Sequence, residues 1–100
     1  MITVTPIEIE GHTVIGVQVE LPKTNLIAIR TEKGYIMCGA LDVSLLNDKL
    51  ADRGIIAGRA VGVRSLEDLL NFPLESITKK AEEIGIREGM SGKEALLRMI

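Results

Sequence analysis

The sequence predicts an α+β domain: an antiparallel β-meander followed by a βαβ-like crossover and C-terminal helices packed on the sheet. Apolar and polar residues alternate through the first forty residues, which is the period of a half-buried strand. The spacing of apolar residues becomes helical after residue 42, and a nearly unbroken apolar run follows over residues 55–63. Apolar stripes with capping residues then recur up to residue 99. A domain this small can bury those stripes only against its sheet.

The meander is predicted as four strands joined by short turns. The first two strands surround Glu10-Gly11-His12-Thr13, where a glycine at the first central position favours a type II′ hairpin. A third strand is expected over residues 25–31 and a fourth over residues 35–40. Glycine readily adopts a positive φ, so the loop between them, residues 32–34, is expected to end in a left-handed Gly34.

A crossover is predicted over residues 35–63. Asp42 is a favoured N-cap residue, and Gly54 stands where a helix would end. The apolar positions between them that have helical spacing are Val43, Leu46 and Leu50. The run over residues 55–63 is typical of a strand buried on both faces. A strand, helix and strand with short links predict a right-handed parallel unit.

The remaining residues are predicted to be helical. Ser65 is a suitable cap for a short helix, and Ser91 with Glu94 forms a capping box for the last one. Between them a helix is expected from Pro73, which fits a first turn, to Gly85, which stops it. Its apolar stripe consists of Leu74, Ile77, Ala81 and Ile84.

Length and composition predict one domain over residues 1–100 that associates with copies of itself. The chain is 46% apolar, yet only Tyr35 and Phe72 are aromatic, so its core must be aliphatic. A chain of this size buries about two-thirds of its unfolded surface. The apolar surplus therefore favours a homo-oligomer. We expect residues 1–41 to form a β-rich oligomerisation half and residues 42–100 an α/β and helical half.

Charge and residue usage argue against several classes of partner. The net charge is −2 with mixed signs, so the basic stripe and stacking aromatics of a nucleic-acid binder are not expected. No apolar run reaches the roughly 18 residues of a membrane span. One cysteine and one histidine are too few for a common zinc site, so no metal and no cofactor are expected. A single cysteine also favours the reducing cytoplasm.

Cys38 and Asp42 are the weak candidates for a catalytic role. A nucleophilic cysteine needs a nearby cation, a histidine or a helix N-terminus. Asp42 would oppose a thiolate at that terminus, and strand alternation puts Cys38 with the apolar Ile36 and Ala40. Cys38 is therefore interpreted as a small buried residue and Asp42 as a cap. A nucleophilic role for Cys38 and a catalytic role for Asp42 remain the alternatives.

Arg59, Arg64 and Asp42 are the candidate ligand-binding residues. Arg59 lies in the predicted strand 55–63, and a guanidinium that is buried there needs a carboxylate or a bound anion. Asp42 of the same crossover is the expected partner, while a ligand anion and an exposed position are the alternatives. The opposite face of this strand carries three small residues, which indicate a close packing contact. They are Gly58, Ala60 and Gly62.

Four stretches of the chain resemble the YunC-like family of small bacterial and archaeal proteins. These are PIEIEGHTVIGVQVELPKT, GYIMCGALDVSLLN, IIAGRAVGVRSLEDLL and PLESIT. The resemblance runs nearly from end to end. It implies an α+β domain whose N-terminal β region mediates tetramer formation, and it implies no activity, cofactor or catalytic residue.

Three hypotheses of function follow from the sequence. The first is a homo-oligomeric module that binds a small anion near Arg59, Arg64 and Asp42. The second is a small enzyme with its site at the turn that holds Cys38 and Asp42. The third is a purely structural subunit.

Overall fold

The computed structural model of the protein describes residues 1–48 and 51–100. The strands form one six-stranded sheet in chain order. They are β1 (Ile2–Ile9), β2 (His12–Leu21), β3 (Thr24–Arg30), β4 (Gly34–Met37), β5 (Ile56–Arg59) and β6 (Ser76–Ile77). Only the β4–β5 pair is parallel, and the other four pairs are antiparallel. The predicted α+β class, with a meander followed by a parallel crossover, is confirmed.

The first two turns of the meander use backbone conformations that favour glycine. Ile9 pairs with His12, so the central residues of the first hairpin are Glu10 (φ 48°) and Gly11 (φ 84°). Positive φ at both positions defines a type I′ turn. The prediction of a type II′ turn was therefore wrong, because Gly11 occupies the second central position and not the first. The second turn places Lys23 at φ 65°.

The sheet has an inner face that forms the core. Directly paired residues of neighbouring strands share a face, and the inner side carries Val14, Ile27, Ile29 and Ile36, all at most 1% exposed. Helices α2 (Leu66–Asn71) and α4 (Gly92–Arg98) pack against this side. Their buried apolar side chains complete one aliphatic cluster with the strands, as the composition predicted.

Side-chain caps start the three helices that follow β5, and two of these caps were predicted. Ser65 accepts a hydrogen bond from the Asp68 amide, and Ser91 accepts one from the Glu94 amide. The third cap, Thr78, begins α3 (Lys79–Glu83). The helix predicted from Pro73 to Gly85 was therefore too long, because residues 73–78 are not helical and contain β6.

The second strand of the crossover, β5, is shorter than predicted. Helix α1 (Val43–Asp48) and a 3₁₀ turn (Ala51–Arg53) precede Gly54, which has the positive φ of a chain reversal; Leu50 lies outside the described residues. β5 ends at Arg59 instead of residue 63, since Gly62 turns the chain at φ 78°.

Two glycines in this region keep neighbouring segments close together. A Cβ on Gly58 would lie 2.7 Å from the Leu74 Cδ1, so the predicted close packing on the small-residue face comes from this same chain. A Cβ on Gly34 would overlap the Ile56 carbonyl oxygen. Gly34 is not in the left-handed region that we expected. A glycine is needed at position 34 because β5, the parallel neighbour, passes too close for a side chain.

Within the described residues, every helix is too short or too polar to cross a membrane.

Candidate functional site

The turn between β4 and α1 is built around Asp42. The Leu41 amide donates to the Cys38 carbonyl oxygen at 3.1 Å, and the Leu45 amide donates to Asp42 Oδ1 at 3.0 Å. Asp42 therefore occupies the capping position that the sequence predicted for it. Its carboxylate is exposed and lies at the rim of a surface depression.

Arg59 projects into the same depression and is held by two other segments. Its Nη1 lies 2.8 Å from Glu75 Oε2. Its Nε and Nη2 donate to the Gly39 carbonyl oxygen at 3.3 Å and 3.2 Å. The expected partner, Asp42, was wrong: the carboxylate paired with Arg59 belongs to Glu75. The sequence concealed this pair, because Glu75 was assigned to a helix while it lies beside β6 and directly opposite β5.

Hydrogen bonds lower the pKa of the Glu75 carboxyl below its usual range. The largest contribution comes from Ser76, followed by the Arg59 guanidinium, and both favour the ionised form. Glu75 is well exposed, so water screens its attraction to Arg59. The pair orients the arginine across the strand end and contributes little to the stability of the fold.

The Arg59 hollow, as we call this depression, has a volume of about 510 Å³. It is lined by residues 39–44 together with Arg59, Glu75 and Ser76. Among the described residues that line it, two carboxylates, those of Asp42 and Glu75, oppose a single guanidinium. The charge balance is therefore negative, which disfavours a further anion.

Arg64 and Cys38 lie outside the lining of this hollow. The Arg64 amide donates to Asp68 Oδ2 at 3.0 Å, which places Arg64 at the start of α2. Cys38 is 7% exposed and belongs to the aliphatic core, and its sulfur accepts the Ile27 amide at 3.5 Å. The structure thus brings Arg59 and Asp42 together and keeps the other two candidates apart from them.

Metal-binding side chains do not converge in the part of the chain that the structure describes. Within it, no group of three or more histidine, cysteine, aspartate or glutamate residues could hold an ion.

The outer face of the meander, which is the side opposite the core, is a second candidate surface. Strand pairing aligns apolar residues across β1–β4 on this side, among them Val4, Val17 and Ala28 in one row. Ile2 is 69% exposed, Val4 61% and Leu21 46%. The remaining apolar residues of the outer face are half-buried: Ile15, Val17, Val19, Leu26, Ala28 and Met37.

These features define a small α+β protein with one six-stranded sheet and a core on one side of it. On the other side, the described residues leave the apolar face of β1–β4 uncovered. The family model described as Domain of unknown function (DUF1805) matches residues 37–99. The chain therefore belongs to this family. It is 61% identical over 100 residues to the uncharacterized protein YunC of Bacillus subtilis (strain 168), and the match covers 100% of this chain and 99% of that protein. The predicted YunC-like resemblance is confirmed.

A solved structure shares this fold. It is the crystal structure of a protein of unknown function, TA1206, from Thermoplasma acidophilum. The two chains are 29% identical and superpose with a TM-score of 0.89 over 100% of this chain and 94% of the other. The likeness supports the α+β architecture, and neither relative has an assigned activity in its name.

Proposed function

We propose that this protein is a homo-oligomeric binding or structural module in which the outer face of β1–β4 joins one copy to another. The observation that carries the proposal is the row of apolar side chains on that face, led by Ile2 and Val4 at 69% and 61% exposure. Contiguous apolar patches on a monomer's surface usually mark a contact with another molecule. A second copy offers the same apolar surface and so is self-complementary.

The assembly assigns different roles to the two parts of the chain. Residues 1–41 would supply the contact between copies, and residues 42–100 would cover the inner side of the sheet. The resemblance to the YunC-like family, which implies a tetramer built through the N-terminal β region, supports the same division. A location in the cytoplasm stays a prediction from the sequence.

The size of the particle in solution tests this proposal. We expect light scattering at micromolar concentration to give a small multiple of the 10.9 kDa chain mass. Val4→Lys should shift the mass toward one chain, because burying an ammonium group in an apolar contact is costly. Thr3→Lys is the matched control, since the neighbouring residue lies on the opposite side of the same exposed strand end. A wild-type protein that stays monomeric would refute the proposal.

Anion binding by Arg59, Arg64 and Asp42 has weaker support. Arg59 is already paired with Glu75, and Arg64 lies outside the hollow. The charge around Arg59 favours a structural ion pair at this position.

A small enzyme that uses Cys38 or Asp42 also has weaker support. The Cys38 side chain lies in the core cluster, where a substrate has no access, and the Asp42 carboxylate caps α1. The rate at which the native thiol is modified separates this alternative from the module that we propose.

A further inference from the structure

We propose that a different depression, at the end of β3, binds a phosphate-bearing small molecule through Arg30, Lys33 and Arg53. The inference deepens the proposed function and rests on its binding-module form, because it names a ligand class and a place for it. Its test measures ligand binding, whereas the proposed assembly is tested by particle mass, so that the two can fail separately.

The basic hollow, as we call this depression, has a volume of about 340 Å³. Three cationic side chains from three separate segments line it: Arg30 ends β3, Lys33 lies in the β3–β4 loop, and Arg53 ends the 3₁₀ turn before β5. One carboxylate, that of Glu32, shares the lining. The net positive charge matches a phosphate group, which carries up to two negative charges near neutral pH.

The cations of the basic hollow have no ion-pair partner among the described residues. The ion pair found among the described residues joins Arg59 to Glu75, and both of these residues lie outside the basic hollow. Three like charges around one depression repel one another, and a bound anion relieves that repulsion. The two hollows therefore differ in kind, because the arginine of the Arg59 hollow is neutralised within the chain and those of the basic hollow are not.

The loop that carries Lys33 is fixed by the Thr31 hydroxyl. This oxygen accepts hydrogen bonds from the amides of Lys33 and Gly34, both at 3.1 Å, and the hydroxyl lies within reach of the Met99 carbonyl oxygen at 3.3 Å. The Thr31 amide also donates to the Gly34 carbonyl oxygen at 2.8 Å. A loop backbone that is ordered before binding loses less entropy when a ligand arrives.

The chemistry of the lining favours phosphate over other anions. Two guanidinium groups present planar pairs of N–H donors that match phosphate oxygens, and lysine adds a point charge. Tyr35, paired with Arg30 across β3 and β4, also lines this hollow. The volume fits a small organic phosphate, since binding pockets for such molecules start at about 300 Å³.

Isothermal titration with pyrophosphate at low salt, with acetate at equal ionic strength as the reference, tests the site. We expect wild type to bind pyrophosphate, and Arg53→Gln and Lys33→Gln each to weaken binding about tenfold. Both residues are exposed and make no side-chain hydrogen bond to a described residue, so the variants should fold normally. Arg59→Gln is the matched control and should change the affinity less than twofold.

Three outcomes would overturn the inference. They are pyrophosphate binding no tighter than acetate, undiminished binding by the double variant Lys33→Gln/Arg53→Gln, and an equal loss in Arg59→Gln. Light scattering on the same samples shows whether assembly has changed. Amide NMR shifts at Gly34 and Tyr35, rather than at Gly39 and Glu75, should accompany binding.

Discussion

Replacing Thr78 with valine should lower the free energy of unfolding by more than the loss of one hydrogen bond would. The side chain is 2% exposed, and its Oγ1 makes three hydrogen bonds. It donates to the Ile55 carbonyl oxygen at 2.7 Å and accepts the amides of Ala57 at 3.1 Å and Ala81 at 3.3 Å. The hydroxyl thus joins the start of β5 to the start of α3.

The magnitude follows from what valine leaves unpaired. Valine has the shape of threonine, so that packing is retained while the Ala57 amide loses its partner in a fully buried position. An unpaired buried donor costs about 1–3 kcal/mol. The loss of the α3 cap adds about 1 kcal/mol. We therefore expect Thr78→Val to lower the free energy of unfolding by roughly 2–4 kcal/mol.

Urea denaturation followed by far-UV circular dichroism measures this effect at a fixed protein concentration. Thr78→Ser is the matched control, because it keeps the hydroxyl and removes one methyl group, at a cost of about 1 kcal/mol. The reasoning is wrong if the valine variant is as stable as the serine variant.

Three further perturbations test other parts of the structure. Glu10→Asn should raise the free energy of unfolding by about 1 kcal/mol, because asparagine tolerates the left-handed conformation of the type I′ turn better than glutamate does; an unchanged urea midpoint would contradict that turn. Glu75→Gln should flatten the acid dependence of the melting temperature. The pKa of Glu75 is lowered in the folded protein, so its contribution to stability is present above the unfolded value of 4.5 and is lost as the pH falls through the folded value. If wild type and Glu75→Gln lose stability equally in acid, this carboxyl is not a source of the acid dependence. The Cys38 thiol should react slowly at pH 7 in native protein and rapidly once urea unfolds it, and fast native labelling would favour the enzyme hypothesis.

The strands of the meander could be predicted because their signal is local. Alternation with period two identifies a strand whichever neighbour it pairs with, and the caps at Ser65 and Ser91 act within one helical turn. The error in the type of the first turn has the same origin. Glycine marks a reversal, but the register of Ile9 with His12 decides which turn position it occupies.

The predicted helix over residues 73–85 was too long because its helically spaced apolar residues belong to two separate segments, one non-helical and one helical. Leu74 packs over Gly58, and Ile77 lies in β6, while Ala81 is the buried residue of α3. Their spacing along the chain imitates one helical stripe. Only the tertiary structure separates them, since Leu74 and Ile77 lie in a non-helical segment and Ala81 lies in α3.

The candidate sites were limited by the same dependence on long-range pairing. Arg59 was correctly expected to need a counter-charge, but its partner Glu75 was hidden in the misassigned segment. The convergence of Arg30, Lys33 and Arg53 could not be read from the chain. They are exposed and separated in sequence, and the parallel pairing of β4 with β5 brings their segments together.

The position of Pro6 limits the ways in which copies of this sheet can grow. β1 is the edge of the sheet, and Pro6 interrupts its row of backbone donors while still facing Ile15 of β2. An edge that lacks a donor is a poor template for another strand. Lateral addition of copies, which would extend the sheet into a fibre, is therefore opposed. The contact that we propose through the outer face would be isologous, and a two-fold contact of this kind closes on itself without extending the sheet.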